Sequence, residues 1–181
     1  LFSERMCRHF MEDYGIQVRV ARYHNIYGPY GTYDGGREKA PAALCRKVLT
    51  AKKNNDNKIQ VWGDGKQTRT FLYIDDCVEG TLRLFESDYS DPVNIGSDEQ
   101  VSINQMIDII EKISGIEKLD REYQLDKPKG VRGRSSNNEL VKNVLNWSYG
   151  IKLKDGLTKT YNWIDSESSK EGSNLSRFIK S

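Results

Sequence analysis

Apolar positions near the start of the chain recur three and four residues apart. Phe2, Met6 and Phe10 form one stripe, Cys7, Met11 and Tyr14 lie beside it, and Gly15 ends the run. This spacing predicts an amphipathic helix. The period then drops to two over Ile16, Val18 and Val20, which predicts a strand across residues 16–22. Turn residues fill 27–36, and Pro41 is suited to the first turn of a helix over 42–50. A polar, Asn-rich loop over 52–58 leads into a strand at 59–62. Gly63-Asp64-Gly65 turns the chain into a further strand at 68–74. Asp75 and Asp76 are placed to cap a helix over 77–86, and 92–95 reads as a short buried strand stopped by Gly96. Ser102 and Gln105 make a capping box ahead of a helix with Ile103, Met106, Ile107, Ile110 and Ile113 inward. Two more helices are expected near 138–145 and 154–166. Short strands alternate with helices and nothing repeats, so the class is α/β.

Composition narrows the possible functions. The 181 residues carry 28 Lys and Arg against 26 Asp and Glu, a formal charge of +2. That balance argues against nucleic acid as a partner, which calls for a basic excess. With 36% hydrophobic residues there is material for a packed core. No stretch approaches the ~20 apolar residues of a membrane span. Cys7, Cys45 and Cys77 are odd in number and widely spaced, as expected of reduced thiols in a cytoplasmic protein. The chain opens on Leu1, inside a helical pattern with no cap before it, and so reads as a fragment of a longer protein.

Candidate chemistry gathers on loops next to strand ends, where α/β sheets bind ligands. Asn25 follows the first strand and is either a ligand contact or a turn-forming residue before Gly28-Pro29. Gly35-Gly36-Arg37-Glu38-Lys39-Ala40-Pro41 packs a freed backbone, charged side chains and a helix start into seven residues. A lysine at such a start meets an unfavourable dipole, and a buried lysine of lowered pKa can act as acid or base near neutral pH. Lys47, about two helical turns on, either reaches the same anion or is solvated. Gln67, Thr68 and Arg69 follow the glycine turn. Arg132 and Arg134 are spaced by glycine further on. Guanidinium groups grip phosphates bidentately, so these loops favour an anionic ligand such as a diphosphate. The chain has no GxGxxG, no GxxxxGK[ST], no G-x-S-x-G elbow and no metal-ligand spacing around His9, His24 or Cys7.

The string Arg22-x-x-Asn25-x-Tyr27-Gly28-Pro29, then Gly-Asp-Gly, then Arg69-x-Phe71-x-Tyr73-x-Asp75-Asp76, resembles the second half of extended short-chain dehydrogenase/reductases acting on nucleotide sugars. HNIYGPYGTYDGGREKAPAALCRK, WGDGKQTRTF, PVNIGSDEQVS and GVRGR are similar to the GDP-mannose 3,5-epimerase family. The likeness runs from Leu1 to about Trp163. The insert at 54–57 and the tail depart from it.

The resemblance implies the last strands and helices of a Rossmann-like domain plus the smaller substrate-binding domain. Residues 1–167 would form that mainly substrate-binding half, and 168–181 a flexible tail. It implies an isomerase that converts GDP-mannose to GDP-L-galactose and GDP-L-gulose, on the way to ascorbate. NAD transiently oxidises the sugar to a 4-keto intermediate, which acidifies the neighbouring carbons. An acid/base pair on opposite ring faces then moves their protons. Lys39 matches one member of the pair. The other, a cysteine, lies upstream of this segment in the family, as do the Tyr-x-x-x-Lys pair and the NAD fingerprint. The stretch alone is therefore expected to be inactive. Carried over by motif, the nucleotide-sugar contacts are Asn25, Glu38, Lys39, Ala40, Lys47, Gln67, Thr68, Arg69 and Arg134, with Arg69 and Arg134 on the diphosphate. The resemblance assigns no catalysis to Cys7, Cys45 or Cys77, leaves Asp76 as a helix cap, and implies a homodimer. Another NAD-dependent nucleotide-sugar epimerase or dehydratase, or a non-catalytic sugar-nucleotide binding fragment, are the alternatives.

Overall fold

The computed structural model describes residues 1–127 and 130–170. From the N-terminus these form α1 (Phe2–Tyr14), β1 (Ala21–Tyr23), β2 (Ile26–Tyr27), α2 (Ala40–Asn54), β3 (Lys58–Trp62), β4 (Thr68–Thr70) and β5 (Leu72–Tyr73). They continue with α3 (Ile74–Glu86), β6 (Val93–Ile95), β7 (Gln100–Ser102), α4 (Ile103–Ser114), β8 (Asp120–Gln124), α5 (Glu139–Leu145) and α6 (Leu153–Ser168). The α/β class holds. Three strand pairs are parallel, β1 with β6, β2 with β5 and β3 with β8, while β4 and β7 run antiparallel.

Two apolar clusters hold these elements together. In the larger, α2, α4 and α6 close over β3, burying Val48, Val61, Met106, Ile110, Leu157 and Ile164 completely or nearly so. The smaller gathers Leu72, Leu84, Val93, Ile95, Val141 and Trp147 around β6, with α3 and α5 packed beside it. Helix α4 contributes the stripe its sequence period marked, because burying that face is what makes a short helix stable.

The helix α4 starts as expected: Ser102 Oγ accepts from the Gln105 amide at 3.1 Å, and Gln105 Oε1 accepts from the Ser102 amide at 2.8 Å. Helices α5 and α6 also lie where the periodicity put them. Cys45 and Cys77 are buried free thiols and Cys7 is half-buried. Helix α1 is amphipathic, yet none of its residues is buried, and Phe2, Met6, Phe10 and Tyr14 stand exposed.

Other expectations are corrected. The strand over 16–22 contracts to β1, which has a ladder partner only opposite Val93–Ile95. Arg19, in the unpaired stretch before it, donates to the Ser87 carbonyl at 2.6 Å. Helix α2 runs into the expected polar loop as far as Asn54, where Asn55 adopts the left-handed conformation at φ 60° and ends it. The strand over 68–74 breaks at Phe71, because β4 pairs with β7 while β5 pairs with β2. Helix α3 begins at Ile74, with no side-chain cap. Asp76 is therefore not a cap. It is buried in the first turn and accepts from the amides of Gly150 at 3.1 Å and Ile151 at 2.9 Å. Strands β7 and β8 carry no alternating apolar signal and were not anticipated. Helix α6 ends at Ser168, and residues 171–181 of the expected tail lie outside the described residues.

Candidate active site

The glycine turn after β3 is held from below by the start of α4. The Asn104 backbone amide donates to the Gly65 carbonyl at 3.0 Å, and its Nδ2 donates to the Asp64 carbonyl at 3.2 Å. Gly65 lies at φ 68°, and a Cβ there would overlap the Asn104 amide, so only glycine fits this corner. The turn delivers Gln67, Thr68 and Arg69 in sequence. Gln67 Nε2 donates to the Trp62 carbonyl at 3.1 Å, leaving its buried Oε1 without a partner among the described residues.

Thr68 is the seam between this strand and the segment carrying the two later arginines. Its amide donates to the Arg132 carbonyl at 2.9 Å, its carbonyl accepts from the Arg134 amide at 3.2 Å, and it forms a parallel bridge with Gly133. Gln100 Nε2 donates to Thr68 Oγ1 at 2.9 Å. Arg69 Nη1 turns back onto the Thr68 carbonyl at 2.6 Å, and a Cβ at Gly130 would come within 3.2 Å of Arg69 Nη2. Arg69 and Arg134 thus share one strand edge, with Arg134 exposed and Arg69 half-buried. His24 follows the end of β1, its amide donating to the Ile95 carbonyl at 3.1 Å. Burial, and then the charge of Arg134, hold its imidazole below the ordinary histidine range. The arginine edge therefore lies beside the carboxyl ends of β1 and β6.

Asn25 is placed at the same rim but its amide is already engaged. It sits at φ 43°, Nδ2 donates to the Thr70 carbonyl at 3.0 Å, and its carbonyl accepts from Leu72 at 3.2 Å. It spans the break at Phe71 and fixes β2 against β4 and β5, which is the turn-forming role.

Helix α2 brings the second group. Lys39 occupies its N-cap position with an extended backbone, φ −77° and ψ 157°, and Ala40 and Pro41 open the first turn. The Lys39 side chain is exposed, not buried, and has no partner among the described residues. Glu38, one residue before it, is 10% exposed and accepts from Arg46 Nη2 at 3.1 Å. Lys47 Nζ donates to the Gln60 carbonyl at 3.0 Å, and burial holds its ammonium below the usual lysine range. That contact fixes the register of α2 against β3, which run in opposite directions across the short connection at 55–57. Lys39 lies about 12 Å along the helix from Lys47, and Trp62 about 7 Å along the strand from Gln60, in the same sense. Lys39 is therefore at the Trp62 end, where Gln67 to Arg69 emerge. No hydrogen bond or ion pair among the described residues joins Lys39 to either arginine.

Sequence reasoning missed Arg46, His24, Gln100 and Asn104 as builders of this rim. Only Arg46 left a local sign, seven residues beyond Lys39 and so on its face of the helix. Cys45 and Cys77 offer no nucleophile: burial pushes the Cys45 thiol up to about 12 and raises that of Cys77 as well.

A dinucleotide needs a strand running through a glycine-rich turn into a helix start. Here β5 passes into α3 through Tyr73 and β7 into α4 through Ser102, with no glycine at either junction. Neither junction among the described residues is therefore of the kind that cradles a dinucleotide's pyrophosphate.

Parallel strand pairs with cations and amides gathered at their rim define an α/β protein. The chain belongs to the NAD dependent epimerase/dehydratase family, whose model matches residues 1–96. It is 52% identical over 174 residues to GDP-mannose 3,5-epimerase 1 of Oryza sativa subsp. japonica, covering 94% of this chain and 44% of that one. To GDP-mannose 3,5-epimerase of Arabidopsis thaliana it is 49% identical over 181 residues, covering 98% and 46%. Among solved structures, UDP-glucuronic acid 4-epimerase from Bacillus cereus with UDP-glucuronic acid and NAD superposes with a TM-score of 0.76 at 30% identity, over 90% of this chain and 50% of that one. UDP-glucose 4-epimerase of Thermotoga maritima with UDP-glucose gives 0.81 at 26% identity, over 91% and 51%. The chain spans about half the length of these relatives. Among the described residues no helix is long and apolar enough to cross a membrane.

Proposed function

We propose that this chain is the substrate-binding half of an NAD-dependent epimerase that converts GDP-mannose to GDP-L-galactose and GDP-L-gulose. The observation that carries the reading is the Thr68–Gly133 bridge, which sets Arg69 and Arg134 at one strand edge as a clamp for a diphosphate. Its support from likeness is the 52% identity to a GDP-mannose 3,5-epimerase across nearly the whole chain.

In this reading Arg69 and Arg134 neutralise the diphosphate. Gln67 and Thr68 line the path between that clamp and the start of α2, Lys47 adds its charge about two turns down that helix, and the orphaned Gln67 Oε1 accepts from a ligand donor. Asn25 closes the rim at the sugar-phosphate region. Glu38, Lys39 and Ala40 face the sugar. The Lys39 amine takes a proton from a ring carbon next to a ketone, the electron pair left behind is held as the enolate, and the opposing acid of the pair, which the family resemblance places upstream of this segment, delivers a proton to the other ring face. The family's NAD chemistry supplies that ketone, and no residue of this chain is assigned to it. The same reading implies a cytoplasmic homodimer on the route to ascorbate, with α1's exposed stripe available to the rest of the protein.

Lys39→Ala in the complete protein, run in deuterated water, tests the assignment. Deuterium at the epimerised carbons is expected to disappear while GDP-mannose binding stays within about threefold, since an exposed lysine adds little ground-state affinity. Normal deuterium incorporation would remove Lys39 from the chemistry. UDP-glucuronate run in parallel separates this substrate from that of the 4-epimerases.

A further inference from the structure

Among the described residues, the hydrogen-bond and ion-pair partners of the Arg46 side chain all lie in the loop that delivers Lys39. Its Nε donates to the Tyr33 carbonyl at 2.9 Å and stands 3.5 Å from Asp34 Oδ1. Its Nη2 reaches Glu38 at 3.1 Å. Asp34 Oδ1 in turn accepts from the Gly35 amide at 2.8 Å, so the clamp extends into the Gly35-Gly36 pair. That pair sits at φ 88° and 84°, backbone that needs external restraint to hold one shape.

Helix geometry explains why Arg46 can do this. Seven residues from Lys39, it lies on the same face of α2 about two turns down, and helical side chains lean toward the N-terminus. The fork of its guanidinium spans two ends of the loop at once, a carbonyl at 33 and a carboxylate at 38. A lysine could not hold both. With 29% of its side chain exposed and Glu38 at 10%, the pair is shielded enough to resist screening by salt. Glu38 keeps a second carboxylate oxygen, Oε2, buried and without a partner among the described residues. Arg46 therefore fixes both the backbone from which Lys39 projects and the orientation of an acceptor beside it.

We infer that Arg46 is the positioning residue for Lys39, holding the loop at 33–38 against α2 so that the amine meets the ring carbon at one geometry. This rests on the epimerase reading above. The guanidinium touches no reacting atom and acts through Glu38 and the Tyr33 carbonyl.

The complete protein carrying Arg46→Met, Arg46→Lys or Asp34→Asn tests it, with solvent deuterium incorporation, KM for GDP-mannose and backbone amide exchange over 33–39 measured on the folded protein. Arg46→Met is expected to lower kcat for exchange about 100-fold, because an ångström of misplacement is costly to proton transfer, while KM moves within about threefold. Amides at 35–39 should exchange faster. Arg46→Lys should recover part of kcat through one retained contact, and Asp34→Asn should lie between it and the wild type. If folded Arg46→Met keeps its kcat within twofold of the wild type, or if KM rises in step with the loss, the inference is wrong. Unchanged amide exchange in the same variant would also overturn it. A wild-type protein that incorporates no deuterium would instead end the epimerase reading, and the positioning role with it, whatever the loop amides show.

Discussion

Thr68 and Gly133 face each other in a parallel bridge, flanked by the bonds from Thr68 to the Arg132 carbonyl and from the Arg134 amide to Thr68. Strand β4 is only three residues long, and this bridge occupies one edge while β7 occupies the other. The arginine of the glycine turn and that of the later GVRGR string become neighbours through backbone pairing alone.

Loss of either arginine should weaken a diphosphate ligand. A charge-assisted bond contributes about 1.5–3 kcal/mol, so Arg69→Ala and Arg134→Ala should each lower GDP-mannose affinity roughly ten- to a hundredfold by calorimetry. Affinity for free mannose should not change. Equal loss for both ligands would mean that the site had collapsed.

Gly156 lies on the face of α6 against β2 and β5. A Cβ there would overlap the Tyr27 hydroxyl, which donates to the Leu153 carbonyl at 3.2 Å, and would sit 2.8 Å from the Tyr73 ring. Gly156→Ala should cost about 1–3 kcal/mol despite alanine's better helix propensity, seen as a lower thermal midpoint. A more stable variant would show that the two tyrosines can yield.

Asp76 ties α3 to the loop before α6 through the Gly150 and Ile151 amides. Asp76→Ala should destabilise by about 3 kcal/mol, since two part-buried amides lose a charged acceptor. Asp76→Asn should cost less. Urea unfolding midpoints would show it, and equal losses would point to packing in place of hydrogen bonding.

Alkaline stability follows from groups held protonated by the fold. Burial pushes the Cys45 thiol from 9.0 up to about 12. Burial, followed by its bond to Asp98, pushes the Tyr149 hydroxyl from 10.0 up to about 12. An unfolded chain releases these protons at lower pH than the native one, so the native state binds more protons in that window and stability falls as pH rises. The thermal midpoint should decline between about pH 9 and 12, with a shallower slope in Cys45→Ala. A flat profile would place water beside Cys45.

Several parts of the site were legible in the residues. The GDG corner, the arginines after it and the lysine before Pro41 stand in strings whose chemistry can be read locally, and the capping box at Ser102 predicted the helix start on which that corner rests. Asn25 was legible only as an alternative, turn or ligand, because its partner Thr70 is remote in the chain. Asp76 is opaque to a local reading for the same reason: the amides of Gly150 and Ile151 that donate to it lie far along the chain.

What the sequence by itself determined is what short-range periodicity encodes: an α/β chain, the face that α4 buries, the turns, and the family its strings resemble. Tertiary structure alone decided that polar β8 pairs with β3, that the strand at 68–74 breaks to serve two partners, and that Arg46 grips the Lys39 loop. The physical reason is that burial of a face depends on neighbours three or four residues away, whereas a ladder or an ion pair depends on which distant segment the packed core brings alongside.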